Sequence, residues 1–172
     1  MGDYKSIVGA ISTVSSIVKY SVEDQSWQIY TRWKNGAPKF SLRRKLDTIP
    51  FNEVSEYTTF IESDVEHRSG LGRAIGFGIL FGGVGAVVGA ITGHGERVKI
   101  KQIGFALKTN GGDEYVVPLF FSNSGERPSN GQVKVALNQL DTIDSILRQT
   151  GVTLNANWHT DINGWFNSPV IQ

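Results

Sequence analysis

The chain has 172 residues, of which 17 are Lys or Arg and 16 are Asp or Glu, and it contains no cysteine. A net charge of +1 with 19% charged residues gives no general attraction to nucleic acid, so no nucleic-acid partner is expected. The lack of cysteine excludes disulfide bonds and thiolate metal sites. Because Met1–Tyr20 lacks the continuous apolar core of a secretory signal, we expect a cytoplasmic protein.

The N-terminal segment, residues 1–20, has aliphatic residues at helical spacing. They are Ile7, Ile11, Val14 and Val18. This spacing predicts an amphipathic helix over residues 4–20, with Asp3 as its N-cap. Such a helix packs on the domain or, because its polar face is Ser and Thr, lies at an interface.

A change to period-two alternation from Ser26 onward predicts a β-strand. The dipeptide Asn35-Gly36 then predicts a hairpin turn, since both residues tolerate positive φ. We expect a second strand at about Lys39–Leu46 and a third at about Glu56–Glu62. Together these strands form an antiparallel meander.

Two further strands are expected in the second half of the chain, at Arg97–Lys108 and Glu114–Phe121. The alternation of the first strand slips at Gln102-Ile103, which predicts a β-bulge. The segment Asn110-Gly111-Gly112 supplies a hairpin turn between the two strands.

The most regular helical pattern covers Gly131–Thr150, and Gly151 is well placed to end the helix. Its predicted buried stripe is Val133, Leu137, Leu140, Ile143 and Leu147. The tail that follows, residues 151–172, has little periodicity, so we expect it to cover the core or contact a neighbour.

A glycine run stands out from the rest of the sequence. Ala74–Gly93 holds twenty residues without a charge, and seven of them are glycine. Four-residue spacing between glycines forms a smooth groove on a helix, which lets another backbone pack closely. The residues expected to carry self-association or membrane contact are Gly72, Gly76, Gly78, Phe81, Gly82, Gly83, Gly85, Val88, Gly89 and Gly93.

Two topologies fit the glycine run. Twenty apolar residues just cross a hydrocarbon core of roughly 30 Å as a single helix. Alternatively, a break at Gly82-Gly83 makes a helical hairpin of residues 70–95, with limbs Leu71–Phe81 and Val84–Thr92. Both flanks of the run are basic, which gives no clear orientation for a single crossing but suits a hairpin whose two ends lie on the same side of the membrane. A single crossing would also separate the strands before the run from those after it, which belong in one sheet. We therefore favour the hairpin.

The segment Thr48–Val54, the glycine run, and the strands VKIKQIGFAL and YVVPLFF together resemble a group of bacterial and phage pleckstrin-homology-like (PH-like) proteins. In that family a GGxGAxxG-type segment interrupts the barrel, and the matching residues are Gly82, Gly83, Gly85, Ala86 and Gly89. The resemblance implies an α+β fold, with a PH-like antiparallel β-barrel over residues 21–150 and a C-terminal helix. The tail departs from the short helical module that often ends these proteins.

The sequence offers no catalytic set, so we expect neither an enzyme nor a cofactor. His67, His94 and His159 lie far apart without metal-ligand spacing, and no metal site is expected. The glycine run lacks the Gly-Lys-Ser/Thr signature of a phosphate-binding loop.

Basic residues on the predicted strands are candidates for binding a lipid headgroup or another ligand. They are Arg43, Arg44, Lys45, Lys99 and Lys101. The alternative for these residues is an ordinary solvated strand face.

These observations predict a non-enzymatic PH-like protein whose glycine-zipper hairpin drives self-assembly, membrane insertion or both. A homo-oligomer is expected, with membrane lipid as a further partner if the protein is peripheral or re-entrant at the inner membrane. One alternative is a soluble peptide- or lipid-binding module in which the hairpin is a structural clasp. Another is a membrane-permeabilising effector in phage–host conflict.

Overall fold

A computed structural model describes residues 2–9, 16–36, 42–65, 80–81 and 98–158. The described strands are β1 (Lys5–Val8), β2 (Ile17–Ser21), β3 (Ser26–Tyr30), β4 (Trp33–Lys34), β5 (Asp47–Pro50), β6 (Val54–Val65), β7 (Leu80–Phe81), β8 (Val98–Thr109), β9 (Glu114–Glu126) and β10 (Thr153–Leu154). A 3₁₀ turn covers Phe51–Glu53, and the α-helix, α1, covers Gly131–Gln149.

The described strands form two hydrogen-bonded sheets. Sheet A has the strand order β1-β2-β3-β5, and sheet B has the order β10-β6-β8-β9-β4, with β7 also paired to β6. All pairs are antiparallel except that of β10 with β6. The predicted α+β class with antiparallel sheets and a C-terminal helix is therefore confirmed. Within the described ranges the strands do not close into a single barrel.

The predicted N-terminal helix is wrong, because residues 5–8 and 17–21 are the strands β1 and β2. Both strands are rich in β-branched residues, which favour a pleated, half-buried surface over a helix. Val8 pairs with Val18, and Val18 pairs with Ile29 of β3, so all three side chains enter the core. Ile11 and Val14 lie outside the described residues.

The predicted turn at Asn35-Gly36 has positive φ at both residues, 55° and 116°. The strand predicted after it, at Lys39–Leu46, is wrong for residues 42–46, which contain no strand; residues 37–41 lie outside the described ranges. Asn35 is held by β9 instead: its Oδ1 accepts a hydrogen bond from the Glu114 amide at 2.7 Å, and its Nδ2 donates to Asp113 at 2.7 Å. These two hydrogen bonds attach the Asn35-Gly36 turn to sheet B at the start of β9.

The long strands β6, β8 and β9 confirm the three predicted later strands. Strands β6 and β9 are longer than predicted, and β8 ends one residue later than predicted, at Thr109. A bulge is present just before the predicted position: the register of β8 against β9 shifts between Ile100 and Gln102, and its register against β6 shifts at the same place, opposite Glu62 and Ser63. The predicted turn between β8 and β9 is also confirmed, with Gly112 at φ 89°.

Helix α1 covers one face of sheet B. Its buried residues are Val133, Ala136, Leu140, Ile143, Asp144 and Leu147, and Leu137 is partly buried against the same core. The Asn130 side chain accepts from the amides of Gln132 and Val133 and caps the first turn. At the other end the Gly151 and Val152 amides donate to the Arg148 and Leu147 carbonyls, with Gly151 at φ 79°. This Schellman motif ends the helix where the sequence predicts.

A buried polar contact fastens α1 to sheet B. The hydroxyl of Tyr57, which is fully buried, donates to Asp144 Oδ1 at 2.7 Å. Arg148 Nε donates to the other oxygen, Asp144 Oδ2, at 2.8 Å. Burial, followed by this hydrogen bond, raises the pKa of Tyr57 above its ordinary value of 10.0. The fold therefore favours the protonated phenol.

This raised pKa predicts a loss of stability in alkali. A phenol whose pKa is higher in the folded state contributes stability that is fully present below the unfolded-state pKa of about 10, and that is lost as pH rises from this value through the higher folded-state pKa. We expect the free energy of unfolding to fall above pH 10, and to fall less steeply in Tyr57→Phe. Urea unfolding at several pH values measures both slopes, and equal slopes would contradict the assignment.

The start of the tail adds β10, which pairs in parallel with β6 at Glu56 and Tyr57. Trp158 follows and is buried, with the Lys108 ammonium 4.4 Å from its ring centroid. Val152 and Leu154 of the tail therefore pack against the main core, while Trp158 belongs to a second buried cluster with Trp33, Phe60, Ala106 and Val116. The later residues of the tail lie outside the described ranges.

Candidate functional site

Of the glycine-run residues expected to mediate contact, only Phe81 lies within the described residues. Leu80 and Phe81 form β7 and pair antiparallel with Ile61 and Phe60 of β6. The predicted helical limb Leu71–Phe81 is therefore wrong at its last two residues, because their backbone pairs with β6 beyond the part that β10 occupies. In the described part of the chain, no helix combines the length and hydrophobicity needed to cross a membrane.

Three of the five predicted basic residues line two different cavities. Arg43 and Lys45 line a small pocket beside β3, β4 and β9, while Lys99 lines a wider cavity at the start of α1. Arg44 and Lys101 line neither of these two cavities. The small pocket, called the basic pocket below, is the better-formed candidate site.

The basic pocket lies where the chain passes from sheet A to sheet B. Strand β3 ends at Tyr30 in sheet A, and β4 begins at Trp33 in sheet B. The Thr31 hydroxyl stabilises this crossing because it donates to the Val116 carbonyl at 2.5 Å and accepts from the Trp33 amide at 3.2 Å. Each sheet thus supplies one wall.

The pocket has a volume of about 170 Å³. Its lining residues are Ile29, Tyr30, Thr31, Arg32, Lys34, Arg43, Lys45, Asp47 and Tyr115. Among the described residues of the lining, four are basic and one is acidic, which gives these residues a formal charge of +3. Arg43 and Lys45 are exposed, whereas Ile29, Tyr30 and Thr31 form a buried floor. The site therefore combines an apolar base with a positively charged rim.

Lys34, Asp47 and Tyr115 form a fixed polar cluster on one side of the pocket. Asp47 Oδ2 accepts from Lys34 Nζ at 2.9 Å and from the Tyr115 hydroxyl at 3.1 Å. The Lys34 ammonium lies 5.0 Å from the centroid of the Tyr115 ring. The register of the two strands brings the cluster together, because Lys34 of β4 pairs directly with Tyr115 of β9.

These contacts set the protonation states of the cluster. Burial acts to lower the pKa of Lys34, but its hydrogen bonds to Asp47 and Tyr115 outweigh this and raise the pKa above its ordinary value. Burial raises the pKa of Tyr115, with Lys34 partly opposing the change. At neutral pH the pocket therefore presents an ammonium and a neutral phenol.

The size and charge of the basic pocket indicate what it can hold. Its volume is below the roughly 300–1,000 Å³ of sites that enclose a drug-sized ligand. A phosphate or carboxylate group matches the guanidinium and ammonium groups at the rim. The pocket can therefore bind the phosphate or carboxylate group at one end of a larger molecule. No group of three or more potential metal ligands occurs among the described residues.

The wider cavity, of about 630 Å³, is less suited to an anion. Its lining includes Glu126, whose carboxylate accepts from Asn130 Nδ2 at 3.2 Å. The side-chain oxygen of Asn130, Oδ1, already accepts hydrogen bonds from the first-turn amides of Gln132 and Val133 in α1. The helix N-terminus is thus satisfied by the chain itself, and a carboxylate stands beside it.

Sequence reasoning found Arg43 and Lys45 from their charge but missed Arg32, Lys34 and Tyr115. Arg32 and Lys34 flank a tryptophan at the end of an alternating stretch, and that pattern could have marked them. Tyr115 is remote in sequence and enters the site only because β4 pairs with β9. Comparisons with protein-family models, curated proteins and solved structures find no match for this chain.

Proposed function

We propose that this protein is a non-enzymatic binding module that holds an anionic group in the basic pocket. The observation that supports this proposal is that four basic residues line one small cavity with a buried floor; they are Arg32, Lys34, Arg43 and Lys45. The ligand presents a phosphate or carboxylate to this rim, as a lipid headgroup or the acidic part of a peptide does. Binding of this kind weakens as ionic strength rises, because the rim charges are exposed.

The arrangement of elements supports a PH-like architecture for this module. Strands β1, β2, β3 and β5 form one antiparallel sheet, strands β6, β8 and β9 dominate the other, and α1 follows them and packs on the core. In this proposal the glycine run is a structural clasp inserted between β6 and β8. The pairing of β7 with β6 supports a clasp, because it ties the middle of the run to the module itself.

The double variant Arg43→Gln/Lys45→Gln is expected to bind inorganic phosphate about tenfold more weakly than the wild type, since two charge-assisted contacts at an exposed rim are lost. Isothermal titration calorimetry at low and at physiological salt measures this change. Lys134→Gln is the matched control, because Lys134 is an exposed helix residue outside the pocket lining. Equal affinity of the double variant and the control would refute the proposed site.

Self-association through the glycine run is the second candidate function, favoured by the four-residue glycine spacing. In this reading the run packs against copies of itself or enters lipid, and the module is a homo-oligomer or associates with a membrane.

Gly85→Leu or Gly89→Leu would then abolish assembly and leave the two sheets folded, because a branched side chain blocks close backbone approach. Light scattering with and without detergent measures the mass, and circular dichroism monitors the fold. Unchanged assembly in both variants would eliminate this candidate.

A further inference from the structure

Residues 153–158, called the tail segment below, lie on sheet B in the way that a bound peptide lies on an edge strand. Strand β10 pairs in parallel with β6, and the Asn155 amide extends this pairing by donating to the Tyr57 carbonyl at 2.8 Å. The Asn155 side chain donates to Glu56 Oε2 at 2.9 Å. Backbone pairing along an edge strand, combined with pockets for single side chains, is how sheets bind extended peptides.

The side chain of Trp158 fills a pocket beside this edge. Ala106, Val116 and Trp33 are consecutive cross-strand partners in β8, β9 and β4, so their side chains share one face of sheet B. Trp158 is 6% exposed and is buried in one cluster with these residues and with Phe60. Ala106 contributes only a methyl group, which leaves space for a large ring. Trp158 is therefore the anchor of the tail segment.

A charged row borders this tryptophan pocket. Lys108 pairs across the strands with Glu56 and Glu114, and its ammonium lies 3.3 Å and 3.2 Å from their carboxylates. The same ammonium lies 4.4 Å from the ring centroid of Trp158. A cation at this distance from an aromatic ring is attracted to its face, and most strongly to that of tryptophan. The pocket therefore favours an indole over an aliphatic side chain.

The tail segment fills this groove without satisfying all of it. In the part of the chain that the structure describes, Trp158 Nε1 and the hydroxyl of Thr58 are buried without a hydrogen-bond partner. Thr58 pairs with Ala106 and so adjoins the tryptophan pocket. Each buried group of this kind costs free energy. Strand β10 has only two residues, and its parallel pairing is weaker per residue than antiparallel pairing. The groove is thus closed by a segment that can be displaced.

We infer that this groove is a peptide-recognition site, which the chain's own tail segment keeps closed. In trans it binds an extended segment of another protein that has a leucine and, four residues later, a tryptophan, as Leu154 and Trp158 are spaced here. The leucine belongs to the pattern because Leu154 packs against the main core.

The tail segment of a second copy is a poorer source of this ligand. Residues 150–152 tie each tail segment to α1, which packs on sheet B of its own chain. Three residues span at most about 11 Å, so the segment cannot reach far from its own groove. The inference goes beyond the proposed function and does not rest on the basic pocket.

A fluorescein-labelled peptide with the sequence of residues 152–158, VTLNANW, is the probe, and fluorescence anisotropy on the full chain measures its affinity. We expect full-length Trp158→Ala to bind the probe at least about tenfold more tightly than the wild type, because the tethered wild-type segment competes at a high effective concentration. Trp158→Phe is the matched control. Its ring still closes the pocket, so its affinity for the probe should stay within about threefold of the wild type.

Two further measurements test the tryptophan pocket itself. The same peptide with alanine in place of its tryptophan should bind Trp158→Ala at least about tenfold more weakly than the probe does, since the anchor is missing. Adding Lys108→Gln to Trp158→Ala should weaken binding of the probe about threefold, because the cation beside the ring is lost. Circular dichroism establishes that each variant is folded.

Each result supports or overturns a stated part of the inference. Equal affinity of folded Trp158→Ala and the wild type for the probe overturns the closed recognition site. Equal binding of the two peptides overturns the assignment of the pocket to tryptophan. A wild-type dimer in light scattering that Trp158→Ala converts to a monomer means that copies exchange their tail segments, and it overturns the assignment to another protein.

If Trp158→Ala does not fold, the wild type provides the test. The unlabelled peptide at millimolar concentration should displace the tail segment, and ¹H–¹⁵N NMR should then show saturable shifts at the amides of residues 56–60, 106–108 and 153–158. The absence of these shifts overturns the inference.

Discussion

Replacing Asp144 with alanine is expected to lower the free energy of unfolding by about 2–3 kcal/mol. The substitution leaves the hydroxyl of Tyr57 buried without its acceptor, and it removes the carboxylate that Arg148 contacts. The effect is large because Tyr57 is fully buried and Asp144 is 6% exposed, so water cannot replace the lost partner. Urea unfolding monitored by circular dichroism measures the difference.

Asp141→Ala is the matched control for this prediction, because Asp141 lies on the same helix and is exposed. We expect its effect to stay within about 0.5 kcal/mol. Tyr57→Phe should be less harmful than Asp144→Ala, since it removes the donor and lets Asp144 keep Arg148. If the two aspartate variants are equally stable, the Tyr57–Asp144 contact does not fasten α1 to sheet B.

Replacing Gly104 with alanine is expected to destabilise the fold by about 2–3 kcal/mol. A Cβ atom at this position would lie 2.5 Å from Phe60 Cζ and 2.6 Å from the Val117 carbonyl oxygen. Phe60 is fully buried, so its ring cannot swing into solvent, and the Val117 carbonyl belongs to the neighbouring strand β9. Relief of the clash therefore requires the centre of sheet B to move.

Gly111→Ala provides the comparison for Gly104, since a Cβ there has Thr109 Oγ1 at 3.7 Å as its nearest neighbour. We expect this turn variant to be neutral or slightly stabilising. Thermal unfolding of the two variants in parallel measures the contrast. Similar melting temperatures would mean that the contact between Phe60 and Gly104 is looser than the structure indicates.

The sequence predicted elements well where its local signals agreed. In α1, the apolar stripe and the Gly151 stop agree, and the helix has the predicted bounds to within one residue. Residues 4–20 had conflicting signals, because Val18 fits a helical stripe and is also a β-branched residue. Pairing with Ile29 of β3 decided between them, and such a long-range partner cannot be read from local spacing.

The candidate site could be predicted only in part for a related reason. The charge of Arg43 and Lys45 is visible in the sequence, and so is their value for binding an anion. The polar cluster depends on two strand pairings, of β3 with β5 and of β4 with β9, which bring Asp47 and Tyr115 to Lys34. In the sequence, Asp47 lies 13 positions from Lys34 and 68 positions from Tyr115, and no local pattern connects the three residues.

Two-dimensional ¹H–¹⁵N NMR during a titration with inorganic phosphate tests the central claim, that the basic pocket holds an anion, most directly. We predict chemical-shift changes concentrated at the amides of residues 29–34, 43–47 and 115, which line or adjoin the pocket. Changes concentrated at residues 125–131, beside the wider cavity, or no changes at all, would contradict the proposal.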